Sequence, residues 1–315
     1  MSILHLKAPA KINLSLHILG RRANGYHDLS MIMEKVSLCD EITLEKIDSG
    51  IELVTGPWPA PRRSGSLVPA VPGPKEENLA YKSAALLQNV SASSCASSCG
   101  VRITLTKNIP MGGGLGGGSS DAATVLKGLN TLWNLNWPPQ KLAEIGVKLG
   151  ADVPFFIYDG PALVEGIGDE IKPLDKLPNL WIILVNPGVH VATPWAYSAW
   201  DNRRSVQNVS ASSCEPGKNL TEKNQSVRSR HTLEEVIQVL HNDFESVVIP
   251  EYPEIQRVKE ALLKAGALGA LMSGSGSTVF GLFETKETRD NAVNKIEKKP
   301  EWQVFAVDNW GVDKR

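Results

Sequence analysis

Between Pro110 and Ala123 the chain reads Pro-Met-Gly-Gly-Gly-Leu-Gly-Gly-Gly-Ser-Ser-Asp-Ala-Ala, so six of the seven residues from Gly112 to Gly118 are glycine and Leu115 is the exception. Each glycine gives up more backbone freedom on folding than other residues, at about 0.5–1 kcal/mol relative to alanine, so such a run implies a compensating contact. Without Cβ atoms in the way, backbone N–H groups can close around phosphate oxygens, and the N-terminus of a following helix adds about half a positive charge. A flexible linker is the alternative, and the flanks argue against it. Upstream, Val101-Arg-Ile-Thr-Leu-Thr alternates like a half-buried strand; downstream, Val125, Leu126, Leu129, Leu132 and Trp133 recur at helical spacing.

This is not a Walker A loop, because Ser119 stands where that motif requires lysine directly after its last glycine. Gly112, Gly114 and Gly117 match G-x-G-x-x-G, yet in so glycine-rich a stretch the match carries little. No second strand ending in an acidic residue follows at about 20 positions, as a dinucleotide fold requires. His-Arg-Asp and Asp-Phe-Gly are absent, which excludes a protein kinase.

Three other places offer chemistry. In the alternating stretch Ala8 to Leu19, Lys11 and Asn13 fall on one face, about 7 Å apart, either as a reactive pair or as part of a solvated strand face. Asp152, in Gly150-Ala-Asp-Val-Pro154, follows a helical pattern that reaches Leu149, and local sequence leaves turn chemistry open as its role. Ser273-Gly-Ser-Gly-Ser277 lies between two apolar runs and reads either as a tight hairpin or as a close backbone approach to a ligand.

The elements that must position these residues are mixed. Strand signals run from Ala8 to Leu19 and from Ile32 to Ile47, and helical patterns cover Asn78 to Leu87, Pro139 to Leu149 and Glu254 to Lys264. The proline-rich stretch from Pro57 to Pro74 reads as an excursion, and Arg203 to His231 as a polar insertion. Two copies of Asn-Val-Ser-Ala-Ser-Ser-Cys, at 89–95 and 208–214, repeat a short loop composition and not a structural unit. At 315 residues two lobes are expected, 1–164 and 165–315. A net charge of −1 with interspersed signs gives no footprint for nucleic acid or an anionic membrane. The longest apolar run, Leu180 to Val185, is too short to span a bilayer, so a cytoplasmic protein is expected. The four cysteines show no zinc-ligand spacing.

Pro9-Ala-Lys11-Ile-Asn13, the Pro110 to Ala123 loop and the Ser273 to Gly276 loop together resemble the three motifs of the GHMP kinase superfamily. Gly25-Tyr-His27, Leu149-Gly-Ala-Asp152 and Glu165-Gly-Ile-Gly168 are similar to the branch of it whose acceptor carries a cytidine diphosphate. The resemblance implies an α+β fold with two lobes, an ATP-binding N-terminal lobe of the ribosomal-protein type and a ferredoxin-like α/β sandwich at the C-terminus. It implies Asp152 as the base for the acceptor hydroxyl and Lys11 as the cation beside it. On the acceptor side it places Asn13, Tyr26, His27, Thr193 and Tyr197, with Tyr26 and Tyr197 as stacking aromatics. On the ATP side it places Asn78, Leu79, Lys107, Pro110, Gly112, Gly113, Gly114, Leu115, Gly116, Gly117, Gly118, Ser119 and Ser120. Mg²⁺ would accompany ATP, with Ser120 the best-placed protein hydroxyl for the metal. Partners are then the small-molecule acceptor and ATP, with no nucleic acid or membrane, in a monomer or homodimer. The chain departs from the pattern at Asn24, where the family often has aspartate.

Overall fold

The computed structural model describes residues 2–56, 73–91, 99–208, 232–297 and 299–311. Nearly all of the 57–74 excursion, most of both short repeats, and the 203–231 insertion beyond residue 208 lie outside the described residues. The chain divides into two compact units: Met1–Ala10, Leu38–Met111 and Gly116–Asp159 form unit one, while Lys11–Ser37, Gly112–Leu115 and Gly160–Arg315 form unit two.

Strands β1 (Ile3–Arg21) and β2 (His27–Ile47) are longer than their alternating cores suggested, and both contribute residues to each unit. In unit one, β4 (Gly100–Thr106) pairs antiparallel with the second half of β2, from Glu41 opposite Thr106 to Ile47 opposite Gly100. On its other edge β4 pairs in parallel with β3 (Ile51–Thr55). Helix α2 (Gly117–Leu132) lies close on this sheet because Gly128 has no side chain: a Cβ there would fall 2.4 Å from Leu44 and 2.5 Å from Leu6. Helix α1 (Leu79–Val90) packs beside α2. Asn78, expected inside that helix, is its cap: its side chain accepts from the Ala80 N–H at 2.9 Å. Helix α3 (Pro139–Gly146) stops short of Leu149, and α4 (Val153–Ile157) follows directly and packs on α2.

Unit two contains β5 (Ala162–Gly166), which lies between the first half of β2 and β6 (Glu170–Pro173), and an antiparallel four-stranded sheet. That sheet runs in the order β11-β7-β10-β9, built from β7 (Trp181–Asn186), β9 (Gly269–Met272), β10 (Val279–Phe283) and β11 (Gln303–Asp308). The apolar run at 180–185 is thus a central strand, buried on both faces. Around it are α5 (Thr193–Asn208), α6 (Leu233–Gln238), the two-residue strand β8 (His241–Asn242), α7 (Glu245–Glu251), α8 (Pro253–Lys264) and α9 (Lys286–Lys295). Helices α8 and α9 cover the sheet, giving the α/β sandwich expected of this lobe. No helix among the described residues is long and apolar enough to cross a membrane.

Candidate functional site

In unit two the polar face of β1 is not solvated. Lys11, Asn13 and Ser15 are all buried, which removes the solvated-strand alternative. Burying an ammonium is costly unless it is hydrogen-bonded, and Lys11 Nζ donates to Asn13 Oδ1 at 2.5 Å. It also lies over Gly274, where a Cβ would approach Nζ to 3.2 Å. The Asn13 N–H in turn donates to Ser273 Oγ at 3.3 Å.

The 273–277 segment is the tight hairpin the sequence allowed, the connection between antiparallel β9 and β10, and it is packed against the glycine loop. Three consecutive loop carbonyls are engaged: Gly113 accepts from Thr278 N–H at 3.2 Å, Gly114 from Ser273 Oγ at 3.0 Å, and Leu115 from Lys11 N–H at 2.9 Å. In a planar trans peptide the N–H of the next residue points opposite to the carbonyl. The amides of Gly114, Leu115 and Gly116 therefore each point away from the partner of their own peptide carbonyl, which leaves them directed elsewhere than at these contacts. Gly112, Gly114 and Gly116 have φ of 66°, 76° and 68°, a left-handed conformation that L side chains disfavour. Gly114 is needed twice over, since a Cβ there would sit 2.1 Å from the Ser273 carbonyl oxygen.

Also in unit two, His27 is held by one face of α5. Tyr197 stacks on its ring with centroids 4.5 Å apart and planes 16° from parallel, Trp200 meets it edge-on, and Asp201 Oδ1 lies 2.8 Å from Nε2. Spacing of i, i+3 and i+4 puts these three on one helical stripe. Tyr197, expected to stack on a ligand base, stacks here on His27, while Tyr26 is 60% exposed. Thr193 Oγ1 lies 2.8 Å from Ser275 Oγ. Asp201 was not singled out from sequence, although its place four residues beyond Tyr197 is a signal that could have found it.

In unit one the start of α2 brings together several of the other expected residues, Leu79, Lys107 and Ser119 among them. A Cβ on Gly117 would approach Lys107 Nζ to 3.3 Å, and one on Gly118 would approach Leu79 to 3.3 Å. Gly150 lies against Ser119, 3.7 Å from its Oγ to the position of a Cβ, which sets the turn before Asp152 beside the helix N-terminus. Asp152 heads α4, but its side chain makes no cap hydrogen bond, so helix capping does not explain it. Ser120 Oγ is buried and has no hydrogen-bond partner among the described residues. Lys107 sits between Asp40 and Asp121, donating to both carboxylates in a buried triad. Burial alone would lower the Lys107 ammonium; the two carboxylates outweigh it and raise its pKa. Asp40 also accepts from the Ile109 N–H at 2.8 Å, which ties down the loop's approach. The triad was not anticipated, and Asp40 carried no local signal for it.

A left-handed glycine loop leading into a helix, locked to a second glycine hairpin and a buried lysine, defines a GHMP-type small-molecule kinase. The models for the GHMP kinases N terminal domain and the GHMP kinases C terminal match residues 78–160 and 223–301. The 4-diphosphocytidyl-2-C-methyl-D-erythritol kinases of Citrifermentans bemidjiense and Geobacter sulfurreducens are each 46% identical to this chain, covering 98% of it and 99% of their own length. A solved 4-(cytidine 5'-diphospho)-2C-methyl-D-erythritol kinase superposes with a TM-score of 0.73 at 32% identity, over 98% of this chain and all of that one. Leishmania major mevalonate kinase shares the fold, with a TM-score of 0.72 at 17% identity. The chain belongs to the 4-diphosphocytidyl-2-C-methyl-D-erythritol kinase family.

Proposed function

We propose that the chain transfers the γ-phosphoryl group of ATP to the 2-hydroxyl of 4-diphosphocytidyl-2-C-methyl-D-erythritol, a step of the non-mevalonate route to isoprenoids, in the cytoplasm. The observation that carries the phosphoryl-transfer reading is the left-handed glycine loop whose Gly113, Gly114 and Leu115 carbonyls are engaged by Thr278, Ser273 and Lys11, which leaves its amide groups for other partners. Identity of 46% to kinases named for this acceptor supports the substrate.

In this reading the acceptor oxygen attacks the γ-phosphorus, the bond from that phosphorus to the β,γ-bridging oxygen breaks, and ADP departs. Asp152 takes the hydroxyl proton, and Lys11 is the cation that balances the developing charge. Positioning and charge stabilisation are most of what phosphoryl transfer asks of a protein. Asn78, Leu79, Lys107, Pro110 and the 112–120 segment form the nucleotide side. Mg²⁺ would be held with ATP through Ser120 Oγ, a hard oxygen donor that is buried and without another partner among the described residues. Its contribution is to neutralise phosphate charge.

On the acceptor side, Tyr26 is exposed and can stack on a base, while His27 reads the base edge. With Nε2–H donated to Asp201, Nδ1 is left as an acceptor, matching the exocyclic amine of cytosine. Asn13, Thr193 and Tyr197 complete this set. ADP release measured in parallel with the cytidyl acceptor, homoserine and mevalonate tests the reading. Release with the cytidyl acceptor alone is expected; release with only the other two would refute the acceptor, and release with none would refute kinase activity.

A further inference from the structure

Away from the residues assigned above, His17, His241 and Asp243 converge within unit two. Strands β1 and β8 pair in parallel with Ser15 opposite His241, and continuing that register sets His17 opposite Asp243 on the same face. The imidazoles of His17 and His241 stack with centroids 4.4 Å apart and planes 10° from parallel. Asp243 is gripped at both oxygens: Oδ2 accepts from the Ile18 N–H at 2.7 Å, and Oδ1 lies 2.7 Å from His241 Nε2. One ligand atom from each of the three residues lies within 4.8 Å of the other two. A surface ion pair would account for His241 and Asp243, but not for His17, half-buried and stacked on the same ring.

We propose that His17, His241 and Asp243 bind one divalent transition-metal ion, with Zn²⁺ as the ion to test. Two imidazole nitrogens and one carboxylate oxygen suit this class, whereas Mg²⁺ and Ca²⁺ prefer all-oxygen sets. Ligand atoms each about 2.1 Å from one ion are at most about 4.2 Å apart, so ion binding requires the three groups to close in slightly and the two near-parallel imidazoles to turn toward a common point, with the exposed His241 the freer to move. The Ile18 amide already orients the Asp243 carboxylate, as partners of metal ligands commonly do. The hydrogen between His241 Nε2 and Asp243 Oδ1 is released to solvent as a proton when the ion takes its place.

The bound ion ties β1 to β8. Asn242, between two of the ligands, donates to the carbonyls of Met272 and Gly274 at 2.7 and 2.8 Å, so the ion also steadies the anchor of the loop beneath Lys11. The role is structural, and it does not depend on the acceptor proposed above.

The test uses the full chain, stripped with a chelator and titrated with Zn²⁺ by calorimetry and with Co²⁺ by visible absorption. One ion per chain is expected, bound at least about tenfold more weakly by His17→Gln and by His241→Gln, and unchanged in His5→Gln of unit one. Zn²⁺ should raise the Tm of the parent but not of either variant. If His17→Gln melts early in chelator, His241→Gln decides alone, since that side chain is exposed. No binding up to about 100 µM, or binding that both substitutions leave intact, overturns the proposal.

Discussion

The hydroxyl of Ser273 donates to the carbonyl oxygen of Gly114 at 3.0 Å, joining positions 159 residues apart in the chain. This contact holds the glycine loop in shape, and it leaves no space for a side chain at residue 114. Gly114→Ala would combine a left-handed backbone with a Cβ 2.1 Å from the Ser273 carbonyl oxygen. We expect a loss of about 2 kcal/mol or more in urea unfolding, together with weaker ATP binding. A variant with parental stability would show that the two loops do not pack in this way.

Asp152→Asn keeps the shape of the side chain and removes the base. Turnover should fall by about 10²–10⁴, while the KM for ATP stays within about twofold. A nearly fully active variant would end the assignment of Asp152 as the proton acceptor.

Asp201→Asn tests whether the α5 stripe positions His27. The amide can donate as well as accept, so it admits the tautomer that presents the wrong ring nitrogen to the base. The KM for the cytidyl acceptor should rise about tenfold, some 1.4 kcal/mol, with kcat and the KM for ATP little changed. A purely structural role would instead lower the Tm and leave the KM alone.

Lys107→Met leaves two buried carboxylates, Asp40 and Asp121, without their shared cation. Removing one partner from a buried ion group costs about 3–5 kcal/mol. Burial already pushes the Asp121 carboxyl up, against the pull of Lys107. Adding Asp121→Asn to Lys107→Met should therefore recover part of the loss, and equal stability of the single and double variants would contradict the triad.

Glu34 provides a pH prediction. Burial pushes its carboxyl up from 4.5 to about 7, even though the Lys35 N–H donates to it at 2.8 Å. The folded chain therefore holds this proton over a range in which the unfolded chain has lost it. The contribution to stability falls as pH rises from about 4.5 to about 7 and stays lost above that, by up to about 3 kcal/mol. Glu34→Gln can keep the acceptor without the charge. It should unfold at higher urea than the parent at pH 8 and at nearly the same urea at pH 5; an equal gain at both would rule out the titration.

Residue type and spacing alone singled out the glycine loop; they left Lys11 with Asn13 open as a solvated strand face and Asp152 open as turn chemistry, and only the resemblance to the GHMP kinases gave those residues roles. The alternation over Ala8 to Leu19 was enough to place Lys11 and Asn13 on one face. It could not say whether that face met water, because alternation records which side differs and not what covers it. Asp201 was marked only by its helical spacing from Tyr197, and Asp40 was illegible, for a related reason. Their partners, His27 and Lys107, lie 174 and 67 residues away, and no local period encodes such a pairing.

By itself, then, the sequence determined the family, through its resemblance to the GHMP kinases, and nominated the residues proposed to serve the reaction. Only the tertiary structure decided that the polar face of β1 is buried, that Tyr197 supports His27, and that three consecutive loop carbonyls are claimed by Thr278, Ser273 and Lys11. Those outcomes depend on hydrogen bonds closed between distant segments, such as Ser273 to Gly114, whose geometry exists only once the chain has folded.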